Sequence, residues 1–181
     1  MSLHNVTPGI QAPDQFNVII EIPMNADPIK YEVDEDSGAL FVDRFMATSM
    51  HYPCNYGYIP QTLADDGDPV DVLVITPVPL IPGVVVTCRA LGMLKMIDEA
   101  GGDNKLVAVP IDKILSIYSQ WKKIDDLNPM RLKTIQHFFE HYKDLEAGKW
   151  VKVEGWAGLS EAREEIVTGM QRWSAKQASK A

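Results

Sequence analysis

The stretch LADDGDPVDVLV, residues 63–74, joins a cluster of acidic residues to a run of β-branched and aliphatic residues. Asp65, Asp66 and Asp68 precede the run, and Asp71 lies within it. The run has the composition of a buried β-strand, whereas neighbouring carboxylates repel one another and resist burial. Their charge must therefore be compensated by bulk water or by a bound cation.

Short segments of similar composition recur through the first two-thirds of the chain and predict further strands. They are FNVIIEI (16–22), KYEVD (30–34), ALFVDRF (39–45), VDVLVI (70–75), VVVTCRAL (84–91) and KLVAVP (105–110). Turn-forming pairs such as Ser37-Gly38 and Asp66-Gly67 separate them. Consecutive short strands favour a barrel or a sandwich over alternating βαβ units.

Two helices are predicted in the last third of the chain. The first lies in NPMRLKTIQHFFEHYKDLEAGK, where Asn128 can cap, Pro129 suits the first helical position and Gly148 marks the end. The second covers SEAREEIVTGMQRWSA, with Ser160 as the N-cap and acidic residues in its first turn. The fold class that follows is mainly β with flanking α-helices.

Composition limits what the chain can do. It has 181 residues, of which 46% are hydrophobic and 23% charged, as expected for one globular domain over residues 1–181. The net charge of -8 disfavours attraction to nucleic acid or anionic membranes. We expect a cytoplasmic protein, because no segment resembles a signal peptide or a membrane-spanning helix. Cys54 and Cys88 match no zinc or redox spacing and are expected to be packing thiols.

The acidic stretch has two interpretations. Asp-Gly and Asp-Pro pairs favour turns, so a solvated turn explains a single aspartate. Several aspartates running directly into a buried strand are harder to explain this way. In an extended chain Asp66 and Asp68 share one face and Asp71 lies opposite, unless Gly67 or Pro69 bends the chain. With such a bend three carboxylates converge, and these hard oxygen ligands suit Mg²⁺ or Mn²⁺.

A calcium-binding EF-hand loop is excluded by its spacing. If Asp66 took the first position, Asp71 would stand where glycine is required and Pro77 where a bidentate glutamate belongs.

Charged residues of opposite sign recur side by side at the ends of other predicted strands. Lys30 and Glu32 share one face of their strand, and Asp103 and Lys105 do so in theirs. The other members of this pattern are Glu21, Arg44, Asp98, Lys143 and the tyrosines Tyr52, Tyr56, Tyr58 and Tyr142. The repeated pairing predicts a mouth where cations face carboxylates.

The segment HFFEH (137–141) matches H-x-x-E-H, the inverted zinc-peptidase pattern. His137 and His141 lie one helical turn apart, with Glu140 as a candidate base. The third ligand would have to come from Glu154, Glu161, Glu164 or Glu165. In the alternative interpretation, the two histidines meet a neighbouring element or another subunit.

Several of these stretches together resemble one known family. They are EIPMNADPIKYEVDEDSGALFVDRF, YPCNYGYIP, DGDPVDVLV, LKMIDEAGGDNKLVAVP and HFFEHYKDLEAGKWVKVEGW. The sequence closely resembles the soluble family I inorganic pyrophosphatases of the bacterial type over nearly its whole length. DGDPVDVLV matches the family signature D-[SGDN]-D-[PE]-[LIVMF]-D-[LIVMGAC].

The resemblance implies a five-stranded OB-like closed barrel and a homohexamer. It also implies roles for individual residues. Asp68 is expected to be the general base. The expected cation is Mg²⁺, with Mn²⁺ or Zn²⁺ as substitutes, and its ligands are Asp66, Asp71, Asp98, Asp103 and Glu32. The phosphates are expected to be bound by Lys30, Arg44, Tyr56, Lys105, Tyr142 and Lys143, and the supporting residues are Glu21 and Tyr52. Asp71 is expected to bridge two ions.

The implied reaction is hydrolysis of pyrophosphate to two orthophosphates. The resemblance and the charge pattern together predict direct in-line attack by a metal-bound hydroxide, with Asp68 as base and no covalent enzyme intermediate. An OB-like barrel also suits an oligonucleotide-binding module, but the carboxylates at the predicted mouth oppose a groove that follows phosphates.

Overall fold

The structure is a computed structural model, and it describes residues 3–34 and 37–179. Within these residues the strands are β1 (Phe16–Ile22), β2 (Ile29–Val33), β3 (Leu40–Phe45), β4 (Asn55–Tyr58), β5 (Asp71–Val74), β6 (Val85–Asp98), β7 (Gly101–Gly102), β8 (Lys105–Pro110) and β9 (Val151–Ala157). The α-helices are α1 (Pro129–His141) and α2 (Leu159–Ala178). Short 3-10 turns lie at Leu3–Asn5, Ser116–Tyr118 and Ile124–Asp126.

Five strands pair in a closed ring. β1 pairs with β4, β4 with β5, β5 with β8, β8 with β6, and β6 returns to β1. Only the β5–β8 pair is parallel among these pairings. The ring confirms the predicted five-stranded barrel, and β9 extends it along the far end of β6.

Of the three strands that the sequence did not predict, β4, β7 and β9, the two longer ones contain glycines that their backbone geometry requires. A Cβ on Gly57 in β4 would lie 2.0 Å from the Ile19 carbonyl oxygen, so only glycine lets β1 approach this closely. In β9, Gly155 has φ +126, and the register with β6 shifts beside it. Glycine is unfavourable in an ordinary strand, which is why composition alone did not indicate these two.

β6 is longer than the predicted segment 84–91 and runs on to Asp98. Its register with β8 shifts between Ala90 and Gly92. A Cβ on Gly92 would lie 2.6 Å from the Ala157 carbonyl oxygen, so the glycine is needed where β9 begins to pair with β6. Gly92 directly follows the predicted segment, and the strand continues through it with a shifted register.

The first helix is shorter than predicted, because α1 ends at His141. Residues 142–148 form turns in which Glu146 N–H donates to the Lys143 carbonyl at 2.9 Å, and Gly148 has φ +77. The second prediction was also wrong at its start: α2 begins at Leu159 after Gly158, whose N–H donates to the Glu161 carboxylate at 3.0 Å. Ser160 lies within the helix. Asn128 caps α1 as predicted, accepting from Met130 N–H.

Both faces of the ring are buried, and each helix covers a different set of ring residues. Leu73 and Val107 belong to the cluster packed against α1, which includes Phe138. Val72 and Ala108 belong to the cluster packed against α2. The hairpin β2–β3 lies outside the ring as a separate two-stranded sheet. No helix in the described part of the chain is long and apolar enough to cross a membrane.

Candidate active site

One cavity of about 500 Å³ is lined by every site residue that the sequence predicted. The acidic members are Glu21, Glu32, Asp66, Asp68, Asp71, Asp98 and Asp103, the basic members are Lys30, Arg44, Lys105 and Lys143, and the tyrosines are Tyr52, Tyr56 and Tyr142. These residues come from strands, turns and the segment after α1, so the barrel brings together side chains that are far apart in the chain.

The acidic stretch bends as it enters β5. Gly67 has φ +94, a conformation that favours glycine, and the Asp68 N–H donates to Asp66 Oδ1 at 3.1 Å. The Ala64 N–H closes the turn by donating to the Asp68 carbonyl at 2.7 Å. Because of this bend, Asp66 and Asp68 line the same cavity as Asp71, which an extended chain would not allow.

Lys105 lies between two carboxylates at the base of the cavity. The parallel pairing of β5 and β8 places Asp71 directly beside Lys105, and Lys105 Nζ lies 2.5 Å from Asp71 Oδ2. The same ammonium also contacts Asp103. Burial lowers the pKa of Lys105, but Asp71 and Asp103 outweigh it and raise that pKa well above its usual value. Lys105 is therefore charged although only 3% exposed.

A second pair joins the end of β6 to the segment after α1. Lys143 Nζ donates to Asp98 Oδ2 at 2.7 Å and lies 3.7 Å from Glu99. Burial opposes ionisation of Asp98, but the hydrogen bond from Lys143 lowers the pKa of its carboxyl below the usual value. Glu99 lines the cavity and was not predicted, although its place beside Asp98 in the sequence was a usable signal.

The β2–β3 hairpin supplies two further cations of the cavity, Lys30 and Arg44. Lys30 and Arg44 are cross-strand partners, and Lys30 also contacts Glu32, the residue predicted to share its face. Arg44 Nε lies 3.1 Å from Glu146, a residue that sequence reasoning missed. Glu146 lies in the turns after α1, where a continuous helix had been predicted, so its approach to Arg44 could not be inferred.

The tyrosines form the aromatic wall of the cavity. Tyr52 is 2% exposed, with ring centroids 4.7 Å from Phe138 and 5.2 Å from Tyr56. Lys105 Nζ lies 5.7 Å from the centroid of the Tyr56 ring, within range of a cation–π contact. Tyr58 also lines the cavity two residues along β4.

Burial raises the pKa of three carboxyl groups in the cavity, those of Glu21, Asp66 and Asp71. Burial raises the pKa of Glu21 to about 8, and the nearby Asp71 adds to the rise. The Val33 N–H donates to the Glu21 carboxyl at 2.7 Å. Partial burial raises the pKa of Asp66 to about 6, and repulsion from Asp103, Asp68 and Asp71 contributes. Such shifts are expected for buried carboxyl groups that have other carboxylates nearby.

The donor set fits a hard cation such as Mg²⁺, because the cavity offers carboxylate oxygens and no imidazole among its described lining residues. Their ligand atoms stand apart in this structure. Among the described side chains, the carboxylates of Asp66, Asp71 and Asp103 do not all lie within 4.8 Å of one another. Mutual repulsion and the Lys105 ammonium between Asp71 and Asp103 explain this spacing.

The zinc-peptidase interpretation of HFFEH finds no support. His137, Glu140 and His141 do bring ligand atoms within 4.8 Å of one another, but in the described part of the chain no downstream glutamate joins them. None of the three lines the large cavity. The two imidazoles contact each other, and His141 also contacts Asp144 in the turn that follows.

Comparison with known proteins gives a consistent result. Residues 18–174 match the family described as Inorganic pyrophosphatase. An inorganic pyrophosphatase from Escherichia coli strain K12 is 62% identical over 172 residues, which cover 95% of this chain and 98% of that relative.

Solved structures agree with the sequence comparison. The structure of an inorganic pyrophosphatase from Coxiella burnetii matches with a TM-score of 0.90 at 53% identity, covering 93% of this chain and 99% of that one. The inorganic pyrophosphatase from Thermus thermophilus matches with a TM-score of 0.89 at 43% identity, covering 96% and 99%. The chain belongs to the inorganic pyrophosphatase family.

Proposed function

We propose that this chain hydrolyses inorganic pyrophosphate to two orthophosphates. The observation that carries the proposal is the arrangement of charge in the cavity, where the described lining residues include six aspartates and three glutamates that face four lysines and one arginine. Pyrophosphate is a compact polyanion, and its charge repels an attacking hydroxide. A site for it therefore needs both direct cations and carboxylates that can hold more cations.

The basic residues bind and orient the phosphate groups in this proposal. Lys30 and Arg44 reach the cavity from the hairpin, Lys143 from the segment after α1, and Lys105 from the ring. Placing cations on several sides stabilises charge on the attacked phosphorus and on the leaving phosphate alike. Tyr56 and Tyr142 add hydroxyl donors at the aromatic wall.

The carboxylates divide into two roles. Asp66, Asp71 and Asp103, with Asp98 and Glu32, would hold Mg²⁺, and Mn²⁺ or Zn²⁺ are the expected substitutes. Bound Mg²⁺ supplies positive charge to the phosphate oxygens and makes a nearby water more acidic. Asp68 is exposed, and the hydrogen bond that it donates to Asp66 comes from its backbone N–H and not from its side chain. Its carboxylate is therefore accessible to accept a proton from the attacking water in a direct in-line displacement.

The test is phosphate release from pyrophosphate by the metal-free protein, with and without added Mg²⁺. We expect rapid release of two phosphates per pyrophosphate that depends on the cation, and little release from a phosphate monoester of similar charge. Folded, Mg²⁺-loaded protein that releases no phosphate would overturn the proposal.

We further propose that residues 1–181 act as one domain and that the domain assembles as a homohexamer. The hairpin supports assembly, because Phe41, Val42 and Phe45 are 55%, 51% and 76% exposed. Light scattering at neutral and at low pH tests it, and a monomer at neutral pH would contradict the proposal. We also predict that His137 and His141 lie at a subunit contact. The same experiment tests this, because an assembly that does not dissociate at low pH would count against it.

We also propose a cytoplasmic protein without a nucleic-acid or membrane partner. The net charge of -8 and the acidic cavity support the absence of nucleic-acid binding. Cys54 and Cys88 are buried and unpaired, which suits a reducing compartment. Filter binding of single-stranded DNA at low salt tests the first expectation, and retention of DNA would contradict it.

A further inference from the structure

Arg44 lies in a strand that is held to the rest of the molecule by little burial of its own. The residues of β3 are exposed except for Arg44. Arg44 pairs with Asp43, its neighbour in the same strand, and this contact stays within the β2–β3 hairpin. The pair between Arg44 and Glu146 differs, because it joins the hairpin to the segment after α1. A charged contact therefore ties Arg44 to an element outside its own hairpin.

The guanidinium of Arg44 is held at two of its three nitrogens. Nη1 donates to Asp43 Oδ2 at 2.6 Å, and Nε lies 3.1 Å from Glu146 Oε2. In the described part of the chain, Nη2 makes no hydrogen bond. Because a guanidinium is planar, fixing Nε and Nη1 also fixes the direction of the two N–H groups on Nη2. Those donors are available to a phosphate oxygen in the cavity that Arg44 lines.

Glu146 lies behind the cavity and next to two of its cations. Its side chain is 12% exposed and is not among the described residues that line the cavity. The Glu146 N–H donates to the carbonyl of Lys143, another cation of the cavity, at 2.9 Å. Its backbone is therefore joined to Lys143 while its carboxylate contacts Arg44. Glu146 is placed to set the spacing between these two cations without lining the cavity itself.

The contact between Arg44 and Glu146 is a pairing of charges without an aligned hydrogen bond. Arg44 Nε and Glu146 Oε1 are both buried, and neither has a hydrogen-bond partner among the described residues. A buried charge that loses its partner is poorly compensated, so each group holds the other in place. Removing the charge of Glu146 would free the guanidinium to turn away from the direction that the pair imposes.

We propose that Glu146 is a positioning residue, which holds the Arg44 guanidinium so that Nη2 faces a phosphate group of pyrophosphate. Because Arg44 binds a phosphate in the proposed function, this role rests on that function. A residue that only stabilised the fold would change the free energy of unfolding and leave substrate binding unaltered. A positioning residue changes substrate binding, and it does so only while Arg44 is present.

The test compares kcat/KM for phosphate release from pyrophosphate in wild type and in Glu146→Gln, at saturating Mg²⁺. Glutamine keeps the size of the side chain and removes its charge. We expect kcat/KM to fall about 10-fold, within the range of coupling between residues in contact. Glu154→Gln is the matched control, because Glu154 is exposed on β9 and does not line the cavity, and its kcat/KM should equal that of wild type.

A double-mutant cycle tests whether Glu146 acts through Arg44. In the Arg44→Met background, Glu146→Gln should change kcat/KM by less than about twofold, because the group that it positions is absent. Titration calorimetry with methylenediphosphonate, an analogue whose P–C–P link is not hydrolysed, repeats the cycle on binding alone. Circular dichroism verifies the fold. Glu146→Asp keeps the charge with a shorter reach and should bind the analogue more tightly than Glu146→Gln.

The two measurements separate the role of Glu146 from the reaction itself. A wild type that releases no phosphate would overturn the proposed function, and the calorimetry would still test Glu146. Analogue binding in Glu146→Gln as tight as in wild type would overturn the positioning role. The same loss from Glu146→Gln with and without Arg44 would overturn it as well.

Discussion

The ammonium of Lys105 lies 2.5 Å from the carboxylate of Asp71, across the parallel pair of strands β5 and β8. Asp103 contacts the same ammonium. In this arrangement a buried lysine compensates carboxylates that are also the proposed Mg²⁺ ligands. The lysine and the proposed metal ions would therefore neutralise the same charges.

This relationship predicts how Lys105→Met changes stability. Without metal, the substitution leaves buried carboxylates uncompensated, and we expect the free energy of unfolding to fall by about 3–5 kcal/mol. Saturating Mg²⁺ should reduce the loss, because the cation replaces the missing ammonium and binds the native state. Urea unfolding with and without Mg²⁺ measures both values.

Lys95→Met is the matched control, since Lys95 is exposed on β6 and should change the free energy of unfolding by no more than about 0.5 kcal/mol. A Lys105→Met protein as stable as wild type without metal would contradict the interpretation, as would a loss that Mg²⁺ leaves unchanged.

Asp71→Ala should weaken Mg²⁺ binding at more than one site if Asp71 has the bridging role expected of it, because that role would involve two ions. We expect a loss of at least about 10-fold, the effect typical even of an outer-shell residue. Isothermal titration of the metal-free protein with Mg²⁺ measures it. Asp65→Ala is the control, because Asp65 belongs to the same turn but pairs with Arg172 and does not line the cavity. Unchanged Mg²⁺ binding in Asp71→Ala would exclude the bridging role.

The pKa of Asp66, raised to about 6, predicts a pH dependence of metal binding. Above pH 6 the carboxylate is ionised and available to Mg²⁺. Below it the cation must displace a proton, so affinity should fall by up to about tenfold per pH unit. Titration calorimetry in two buffers of different protonation enthalpy detects the released proton. Asp66→Asn should bind more weakly but with a flatter pH dependence, and a wild-type affinity that stays constant from pH 7 to 5 would contradict the assignment.

Glu21 predicts a pH dependence of stability in the metal-free protein. Its pKa rises from an ordinary value of 4.5 to about 8 in the native state. Between pH 4.5 and about 8 the native state holds a proton on Glu21 that the unfolded state lacks. The contribution of Glu21 to the free energy of unfolding is therefore most favourable below pH 4.5 and falls as the pH rises towards 8. The cost is up to about 1.4 kcal/mol per pH unit.

Glu21→Gln removes the ionisable group and can still accept from the Val33 N–H through its amide oxygen. The variant should therefore lose this contribution to the pH dependence, and its stability relative to wild type should increase between pH 5 and pH 8. Parallel pH profiles for the two proteins would contradict the assignment.

Much of the barrel could be predicted from the sequence, because β1 and β8 each contain a run of β-branched and aliphatic residues. β4 and β9 were missed because Gly57 and Gly155 weaken that signal. Their glycines serve close approach and a bend, requirements that arise only when the partner strand is present.

The candidate site could likewise be predicted in part from the sequence. Asp66, Asp68 and Asp71 were recognised from their number and position, and the bend at Gly67 was foreseen as a condition for bringing them together. Glu146 could not be found, because its approach to Arg44 depends on how the chain turns after α1. Local sequence determines turns and strands well, whereas contacts between distant elements depend on the whole packing.

The most direct test of the central claim is the rate of phosphate release from pyrophosphate by Asp68→Asn, measured in saturating Mg²⁺ beside wild type and Asp65→Asn. Circular dichroism and Mg²⁺ titration verify that the variants fold and bind metal. We predict a loss of roughly 10²-fold or more for Asp68→Asn, the usual scale for a positioned base, and a rate near wild type for Asp65→Asn. A wild-type rate in Asp68→Asn would contradict the account by removing Asp68 from the reaction.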